Sequence, residues 1–129
     1  IGVHHPCHFL KMPPHNEFPG AFETEEKSKA GVKFTDDLSV YFQGCLWGGR
    51  VPEVIEMMKE LDTRTQTDLK NDIIAKWHDE SQMNKFFSER RSDVNVLHPA
   101  YAFPEDFTNH CKFEPKIVHV SKDNSKYHQ

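Results

Sequence analysis

The sequence has few cysteines and no long hydrophobic run. Its three cysteines lie far apart, at Cys7, Cys45 and Cys111, and no CxxC pair occurs. This number and spacing support neither a zinc ribbon nor a dense disulfide framework, and they leave the redox compartment open. No apolar stretch approaches the length of a membrane span and no signal peptide is visible, so we predict no membrane-spanning segment in this chain.

An excess of basic charge is also absent. The chain has 16 Lys and Arg residues against 20 Asp and Glu residues, which gives a formal net charge of -4. This balance offers no general attraction to a phosphate backbone, so we predict no nucleic-acid partner. Smaller groups of basic residues could still neutralise one diphosphate: Lys85, Arg90 and Arg91, and, near the end, Lys112, Lys116, Lys122 and Lys126.

The sequence does contain enough bulky apolar material for one folded domain. Ten phenylalanines, two tryptophans and three tyrosines occur in 129 residues, a length too short for two ordinary domains. The residue patterns predict a strand at 40–47, helices at 51–61 and 80–88, and short strands within 94–103 and 116–120. This alternation of helices and strands predicts an α/β or α+β arrangement.

The predicted helix at 51–61 has the clearest pattern. Pro52 suits its first turn. One face of this helix carries the apolar side chains Val51, Val54, Ile55, Met58 and Leu61. We expect the helix to end in the polar stretch DTRTQTD and to pack against the strand at 40–47.

Two regions are predicted to lack regular structure. Four prolines within residues 1–20 exclude a regular helix and indicate an irregular surface segment, so most histidines there are interpreted as exposed loop residues. Residues 22–37 are charged and without clear periodicity, which predicts a loop. The Asp36–Asp37 pair in this loop is interpreted as a solvated turn.

A glycine interrupts the predicted strand at 40–47. Gly44 lies in the strand interior. A glycine there weakens a strand unless another group must approach the backbone closely. The sequence therefore raises the question of which group approaches Gly44.

Residues 76–87 read KWHDESQMNKFF, and this stretch is the main candidate for chemistry. Acidic residues in the first turn of a helix are favoured by the helix dipole, which is sufficient to explain one carboxylate. That explanation does not account for Trp77 and His78 before the acids. Aromatic rings stack on sugar faces, and adjacent carboxylates bind hydroxyls or stabilise a cationic anomeric carbon. Both a plain helix start and a sugar site therefore stay open on the residues alone.

The longer stretch KNDIIAKWHDESQMNKFF resembles the signature of the glycosyltransferase family that contains the ABO blood-group transferases and the α-1,3-galactosyltransferase. The family pattern is close to WHDES-x-x-NK followed by aromatic or aliphatic residues. The stretch YFQGCLWGG resembles the family's aromatic strand that ends in Gly-Gly, and His5-Pro6 and LHPAYAFPE match in the same order. The resemblance covers essentially the whole chain, but only the C-terminal part of the family's catalytic domain.

The resemblance implies the C-terminal portion of a GT-A-type mixed-sheet α/β domain. Residues 1–129 would form a single partial catalytic domain, with the nucleotide-binding half upstream. The implied reaction is a retaining transfer of galactose or N-acetylgalactosamine from a UDP-sugar to a β-galactoside, in α-1,3 linkage. Glu80 would be the catalytic carboxylate beneath the anomeric carbon, as nucleophile or as stabiliser of an oxocarbenium-like state.

Substrate contacts are implied at four further positions. Asp79 would hold hydroxyls of the donor sugar, and Trp77 would form a wall for the acceptor galactose. His5 would contact the acceptor, and His78 matches the motif as a substrate-binding residue.

The strand and the tail carry the remaining implied contacts. Gln43, Gly44 and Cys45 match the positions that select the sugars, and the size of Cys45 favours galactose slightly over its N-acetyl relative. Lys122 and Lys126 would neutralise the leaving diphosphate from the C-terminal tail.

The resemblance also implies parts that this sequence lacks. The family's Asp-x-Asp, which ties Mn²⁺ to UDP, belongs upstream of Ile1, so the metal ligands are expected outside this chain. Glu23 stands where the family usually has a threonine that contacts the acceptor. The alternative is a non-catalytic module that binds a galactoside. An animal protein would lie in the Golgi lumen and a bacterial or viral one in the cytoplasm.

Overall fold

A small mixed sheet and two long helices enclose the main hydrophobic core. The structure is a computed structural model, and it describes residues 1–12, 16–17, 19–123 and 125. Its strands and helices are β1 (Gly2–His4), α1 (Pro6–Phe9), β2 (Phe42–Trp47), α2 (Val51–Lys70), α3 (His78–Glu89), β3 (Val96–Leu97), β4 (Phe103–Pro104) and β5 (Val118–His119). Short 3-10 turns lie at Arg91–Asp93, Pro99–Tyr101 and Glu105–His110.

The first sheet has the strand order β2-β1-β3. Strand β1 runs antiparallel to β2, with Gly2 opposite Trp47, and parallel to β3, with Gly2 opposite Val96. Strands β4 and β5 form a separate parallel pair, with Phe103 opposite Val118. Mixed sheets combined with packed helices confirm the predicted α/β class.

The main core lies between β2 and the two long helices. Phe42 of β2, Met57 of α2, and Met83 and Phe87 of α3 are all at most 5% exposed and contact one another. The rings of Phe42 and Phe87 meet edge to face, with centroids 4.8 Å apart. The predicted packing of the strand against the helix that follows it is therefore confirmed.

The N-terminal region differs from the prediction of an irregular surface segment. Strand β1 is the middle strand of the first sheet, and Val3 is completely buried. Pro6 occupies the first turn of α1, where the missing proline N–H would have no partner within the helix. The prediction was wrong for these elements because the prolines lie where they interrupt neither β1 nor the first turn of α1.

Helix α2 is longer than predicted and turns a different face inward. Met57 is buried, whereas the predicted core residue Met58 is 55% exposed. The helix continues through the polar stretch to Lys70, because its inner face continues in polar residues that have partners. Among them, the buried Asp68 accepts hydrogen bonds from the Ser28 hydroxyl (2.7 Å) and the Gln82 amide (2.9 Å).

The other predicted elements are close to the observed ones. The predicted strand at 40–47 is β2, and the predicted helix at 80–88 is α3. The stretch 94–103 holds β3 and the start of β4, separated by the turn at Pro99, and 116–120 holds β5. Residues 22–37 contain no helix or strand, as predicted. None of the described helices is both long and apolar enough to cross a bilayer.

Helix α3 is held along the outer edge of β2 by side chains that bind the strand backbone. The Asn84 amide oxygen accepts from the Phe42 N–H (2.7 Å), and the Asn84 amide nitrogen donates to the Phe42 carbonyl (2.7 Å). Four residues earlier, Glu80 accepts from the Gly44 N–H (2.7 Å). The backbone groups on this edge of β2 therefore find partners on a helix instead of on another strand.

Replacing Asn84 with alanine is expected to lower the free energy of unfolding by roughly 2–4 kcal/mol. The substitution leaves the N–H and carbonyl of Phe42 buried without partners, and each such group costs about 1–3 kcal/mol. Urea denaturation measures the change. The control is Asn95→Ala, because Asn95 is exposed. Equal effects of the two substitutions would contradict the docking role of Asn84.

Candidate active site

Helix α3 begins with a tight turn that leaves three predicted site residues exposed. The His78 N–H donates to the Ala75 carbonyl (2.9 Å), and the Trp77 N–H donates to the Ser81 hydroxyl (3.0 Å). His78 has a φ of 52°, which is uncommon for a residue other than glycine. His78 and Asp79 are exposed, and Trp77 is 48% exposed. Their side chains are therefore open to a ligand.

Glu80 points the other way, between α3 and β2. One carboxylate oxygen accepts from the Tyr41 hydroxyl (2.8 Å) and the other from the Gly44 N–H (2.7 Å). The side chain is partly buried, and two donors from neighbouring positions of one strand region fix both of its oxygens. The two acids that are adjacent in sequence thus have different environments.

The approach of Glu80 answers the question raised by Gly44. A Cβ atom on residue 44 would lie 3.2 Å from both the Cβ and a carboxylate oxygen of Glu80. That separation is tighter than ordinary van der Waals contact. A group does approach the glycine backbone closely, and it is the carboxylate of Glu80, the predicted catalytic residue.

The electrostatics of Glu80 reflect competing effects. Burial is the largest effect and raises the pKa of its carboxyl group, and the Asp79 charge raises it further. The hydrogen bonds from the Gly44 N–H and the Tyr41 hydroxyl act in the opposite direction, and the net result is a raised pKa. Burial and the Glu80 charge in turn raise the pKa of Tyr41, so the phenol stays neutral and donates a hydrogen bond to Glu80.

Tyr41 brings the predicted residue His5 toward Glu80. The His5 and Tyr41 rings lie 5.7 Å apart, and the His5 N–H donates to the Tyr41 carbonyl (2.7 Å). The His5 side chain also caps α1, because its Nδ1 accepts from the Cys7 N–H (3.2 Å). His5 is half-buried, and Tyr41 contacts both its ring and the Glu80 carboxylate.

The side chains of Gln43 and Cys45 are joined on the same face of β2. The Cys45 thiol contacts the Gln43 amide oxygen (3.0 Å), and the Gln43 amide nitrogen donates to the Ala102 carbonyl. Gln43 is buried, so both ends of its amide are occupied by the protein. Burial, together with the Glu80 charge, raises the pKa of Cys45. Cys45 is thus held by Gln43, whose own amide is not open to a ligand.

The structure does not bring every predicted site residue to this cluster. Lys122 is exposed in the segment after β5, and no described contact joins it to Glu80. Lys126 lies outside the described residues. Two surface cavities, of about 730 and 620 Å³, are lined by other parts of the loop at 19–38 and by residues 71–74. Neither cavity contains a predicted site residue.

Two of the basic residues considered for a diphosphate are already paired. Lys85 is buried and lies 2.6 Å from Asp36, and Arg90 lies 2.8 Å from Glu60. Asp36 is consequently not the solvated turn residue that the sequence predicts, since its side chain is only 7% exposed. Lys85 and Asp36 stabilise the packing of α3 against the loop at 22–37.

The described residues do not fit a manganese site. No group of three histidine, cysteine or carboxylate side chains comes together in the part of the chain that the structure describes. Glu80 is the best placed acid, but both of its oxygens already accept hydrogen bonds from the protein. Mn²⁺ prefers oxygen ligands, and the two carboxylate oxygens of Glu80 are already bound to protein donors.

Sequence reasoning missed residues that hold the site in place. Tyr41 and Asn84 have no assigned role in the sequence interpretation, although both contact Glu80 directly. Ser81 also has a structural role at the start of α3, because its hydroxyl accepts from the Trp77 N–H. Asn84 follows Glu80 by one helical turn, and that spacing was the available signal for a shared contact with β2.

Comparisons with known proteins agree on one family. The model for glycosyltransferase family 6 matches residues 2–128. Globoside alpha-1,3-N-acetylgalactosaminyltransferase 1 of Mus musculus is 33% identical over 105 residues, covering 81% of this chain and 28% of that protein. O-antigen biosynthesis glycosyltransferase WbnI of Escherichia coli is 28% identical over 89 residues, covering 69% of this chain and 36% of that protein.

A third relative gives a similar result. Histo-blood group ABO system transferase 2 of Rattus norvegicus is 29% identical over 100 residues, covering 78% of this chain and 29% of that protein. The chain therefore spans only 28% to 36% of the length of these three relatives.

Replacing Glu80 with glutamine is expected to preserve the fold and to raise the melting temperature at pH 7. A raised carboxyl pKa means that the fold favours the protonated form of Glu80 over the ionised form, and this contribution to stability is lost as the pH rises through the folded-state pKa. Glutamine removes the cost of the buried charge. Melting curves at pH 4 and pH 7 test this, and the gain should be larger at pH 7.

The control for this prediction is Glu56→Gln. Glu56 is exposed on α2, so its substitution should change the melting temperature equally little at both pH values. The prediction is contradicted if Glu80→Gln melts at a lower temperature than the wild type at pH 7 but not at pH 4, which would show that the ionised carboxylate stabilises the fold.

Proposed function

The chain belongs to glycosyltransferase family 6, and we propose that it supplies the catalytic carboxylate and the acceptor side of a sugar transferase. The proposed reaction moves galactose or N-acetylgalactosamine from a UDP-sugar to a hydroxyl of a β-galactoside, in α-1,3 linkage and with retention of configuration. The name of one relative specifies α-1,3 transfer of N-acetylgalactosamine and so supports the linkage and the sugar class, and the name of another identifies it as a histo-blood group ABO transferase. In this proposal residues 1–129 are one partial catalytic domain.

The fixed carboxylate of Glu80 is the observation that carries the proposal. A retaining transfer needs an ionised carboxylate on the sugar face opposite the leaving group. As the bond from the anomeric carbon to UDP breaks, the carbon gains positive charge and UDP leaves with the electron pair. Hydrogen bonds from Tyr41 and Gly44 orient Glu80 before the reaction, so little reorganisation is needed when that charge develops.

The exposed residues beside Glu80 are proposed to bind the two sugars. Asp79 offers free oxygens to hydroxyls of the donor sugar, and the half-exposed Trp77 ring suits stacking on the acceptor galactose. His78 lies between them in the same exposed turn. His5 approaches from the other side of Tyr41 and is proposed to contact the acceptor.

Residues of β2 are proposed to set the space for the sugar. Gly44 allows Glu80 to approach the strand backbone, and the Cys45 thiol lies on the face of β2 that also carries Gln43. Buried Gln43 acts on the sugar through Cys45. Lys122, which is exposed, and Lys126 are proposed to neutralise the leaving diphosphate from the tail.

The ligands of a Mn²⁺ ion are proposed to lie outside the described residues, among which no group of three histidine, cysteine or carboxylate side chains comes together. A Mn²⁺ ion that binds the UDP group would be held by residues outside the described part of this chain. The proposed partners are accordingly a UDP-sugar and a β-galactoside, and the nucleotide would also be bound largely by other residues.

Glu80→Gln is expected to reduce sugar transfer by about 10²-fold or more, since it removes the charge that stabilises the transition state. The assay uses a protein that also contains the proposed nucleotide-binding half, and it supplies UDP-galactose or UDP-N-acetylgalactosamine with lactose as acceptor. Product is quantified by chromatography, and its anomeric configuration is read by NMR. The matched control is Glu56→Gln, which should transfer sugar at the wild-type rate.

Three results would contradict the proposal. Unchanged transfer by Glu80→Gln would remove Glu80 from the chemistry, and a β-linked product would remove retention. Lactose binding with no affinity for UDP-sugars, in a protein that also contains the proposed nucleotide-binding half, would favour the galactoside-binding module instead. Isothermal titration of UDP-galactose, UDP-N-acetylgalactosamine and lactose separates that last case.

Tyr41→Phe is expected to shift the acidic limb of the pH profile of kcat/KM to higher pH. Transfer requires ionised Glu80, so activity is lost as the pH falls through the Glu80 pKa. The Tyr41 hydrogen bond lowers that pKa, and its removal raises it. Tyr101→Phe is the control, because Tyr101 is exposed and has no contact with Glu80 among the described residues. An unshifted limb, or one moved to lower pH, would contradict the role of Tyr41.

A further inference from the structure

We infer that Glu23 is a positioning residue that fixes the backbone before Trp77 and thereby controls acceptor binding. The effect on the acceptor rests on the proposed function, whereas the effect on the backbone does not. Glu23 would not itself contact the sugar. Its role depends on which groups its two carboxylate oxygens bind.

Both oxygens of Glu23 are occupied by peptide donors. Oε1 accepts from the N–H groups of Thr24 and Glu25, each at 2.8 Å. Oε2 accepts from the N–H of Lys76 at 2.6 Å, across 53 positions of sequence. The side chain is buried, with 9% of the residue exposed. A carboxylate in this position binds two chain segments together and leaves little capacity for a ligand.

The Lys76 bond lies directly beside the exposed indole. Lys76 N–H is held by Glu23, and the next N–H, that of Trp77, is held by the Ser81 hydroxyl at 3.0 Å. Two consecutive backbone groups are therefore fixed, while the Trp77 residue stays 48% exposed. A ring carried on an immobilised backbone loses less conformational freedom when it stacks on a sugar.

The other side of Glu23 leads to the catalytic carboxylate. Phe22, its chain neighbour, is buried and contacts the Tyr41 ring edge to face, with centroids 5.0 Å apart. Tyr41 donates to Glu80 at 2.8 Å. Glu23 thus links the backbone of Trp77 to the aromatic cluster that orients Glu80.

The chemistry of the contact requires a carboxylate. Three peptide N–H groups converge on Glu23, and they need acceptors on both of its oxygens. A glutamine of the same shape has one acceptor oxygen, and its NH₂ group would face a peptide donor on the other side. An alanine would leave all three donors without this partner.

The test compares Glu23→Gln and Glu23→Ala with the control Glu26→Gln in a purified protein that also contains the proposed nucleotide-binding half. Glu26 lies in the same loop and is exposed. Amide hydrogen exchange of the peptide that contains Lys76 and Trp77 reports the backbone. The KM for lactose and the rate of UDP-galactose hydrolysis without acceptor report the two sides of the site.

We expect faster exchange at residues 75–77 in both Glu23 variants and unchanged exchange in Glu26→Gln. The KM for lactose should rise by about tenfold, because small displacements of positioning groups can cost up to about 10²-fold. Hydrolysis of UDP-galactose should change by less than about twofold, since Glu80 keeps its own partners. A merely structural role would lower both activities together. If Glu23→Ala does not fold, Glu23→Gln decides.

Unchanged exchange at residues 75–77 in Glu23→Gln would overturn the positioning role, whatever the activity. Faster exchange with an unchanged KM for lactose would overturn the link to the acceptor. Neither result touches the proposed function, which fails separately if Glu80→Gln keeps full transfer.

Discussion

The structure depends on the agreement between two lengths, that of one turn of α3 and that of two residues of β2. Glu80 and Asn84 are separated by about 6 Å along the helix axis, and Phe42 and Gly44 by about 6.7 Å along the strand. Because these distances nearly agree, a carboxylate and an amide on one helix face bind successive outward backbone groups of the strand. The same docking brings Phe87 onto Phe42 and closes the core.

Through this docking, Glu80 serves both the fold and the proposed chemistry. The ionised form that the proposed chemistry needs is the form that burial disfavours. Glu80 accepts a peptide N–H and a phenol hydrogen, which orient it, but burial still raises its pKa. The ionised carboxylate is therefore present at a cost to stability. Such a cost is common where a site must hold charge away from water. Asn84 offsets this cost, because its neutral amide binds both the N–H and the carbonyl of Phe42.

The parts of the fold that could be predicted are those with apolar patterns of their own. The predicted bounds of strand β2 and helix α3 lie within two residues of the observed ones. Helix α2 is predicted too short, because Asp68 is buried through its hydrogen bonds and looks like a surface residue in the sequence. Strand β1 could not be predicted, because its three residues are too few to show the alternation typical of a strand and lie close to a proline. The sheet nevertheless buries Val3 completely.

The sequence by itself determined the residue types of the candidate site: an indole, an imidazole and two acids in series, and a glycine inside a strand. Only the tertiary structure decided which acid is enclosed, and that Tyr41 and Gly44 hold it. It also decided that Glu23 and Asp68 bind peptide and side-chain donors instead of water. The physical reason is distance along the chain, since the pairs Gly44–Glu80, Lys29–Asp68 and Glu23–Lys76 are 36, 39 and 53 residues apart and no local pattern records them.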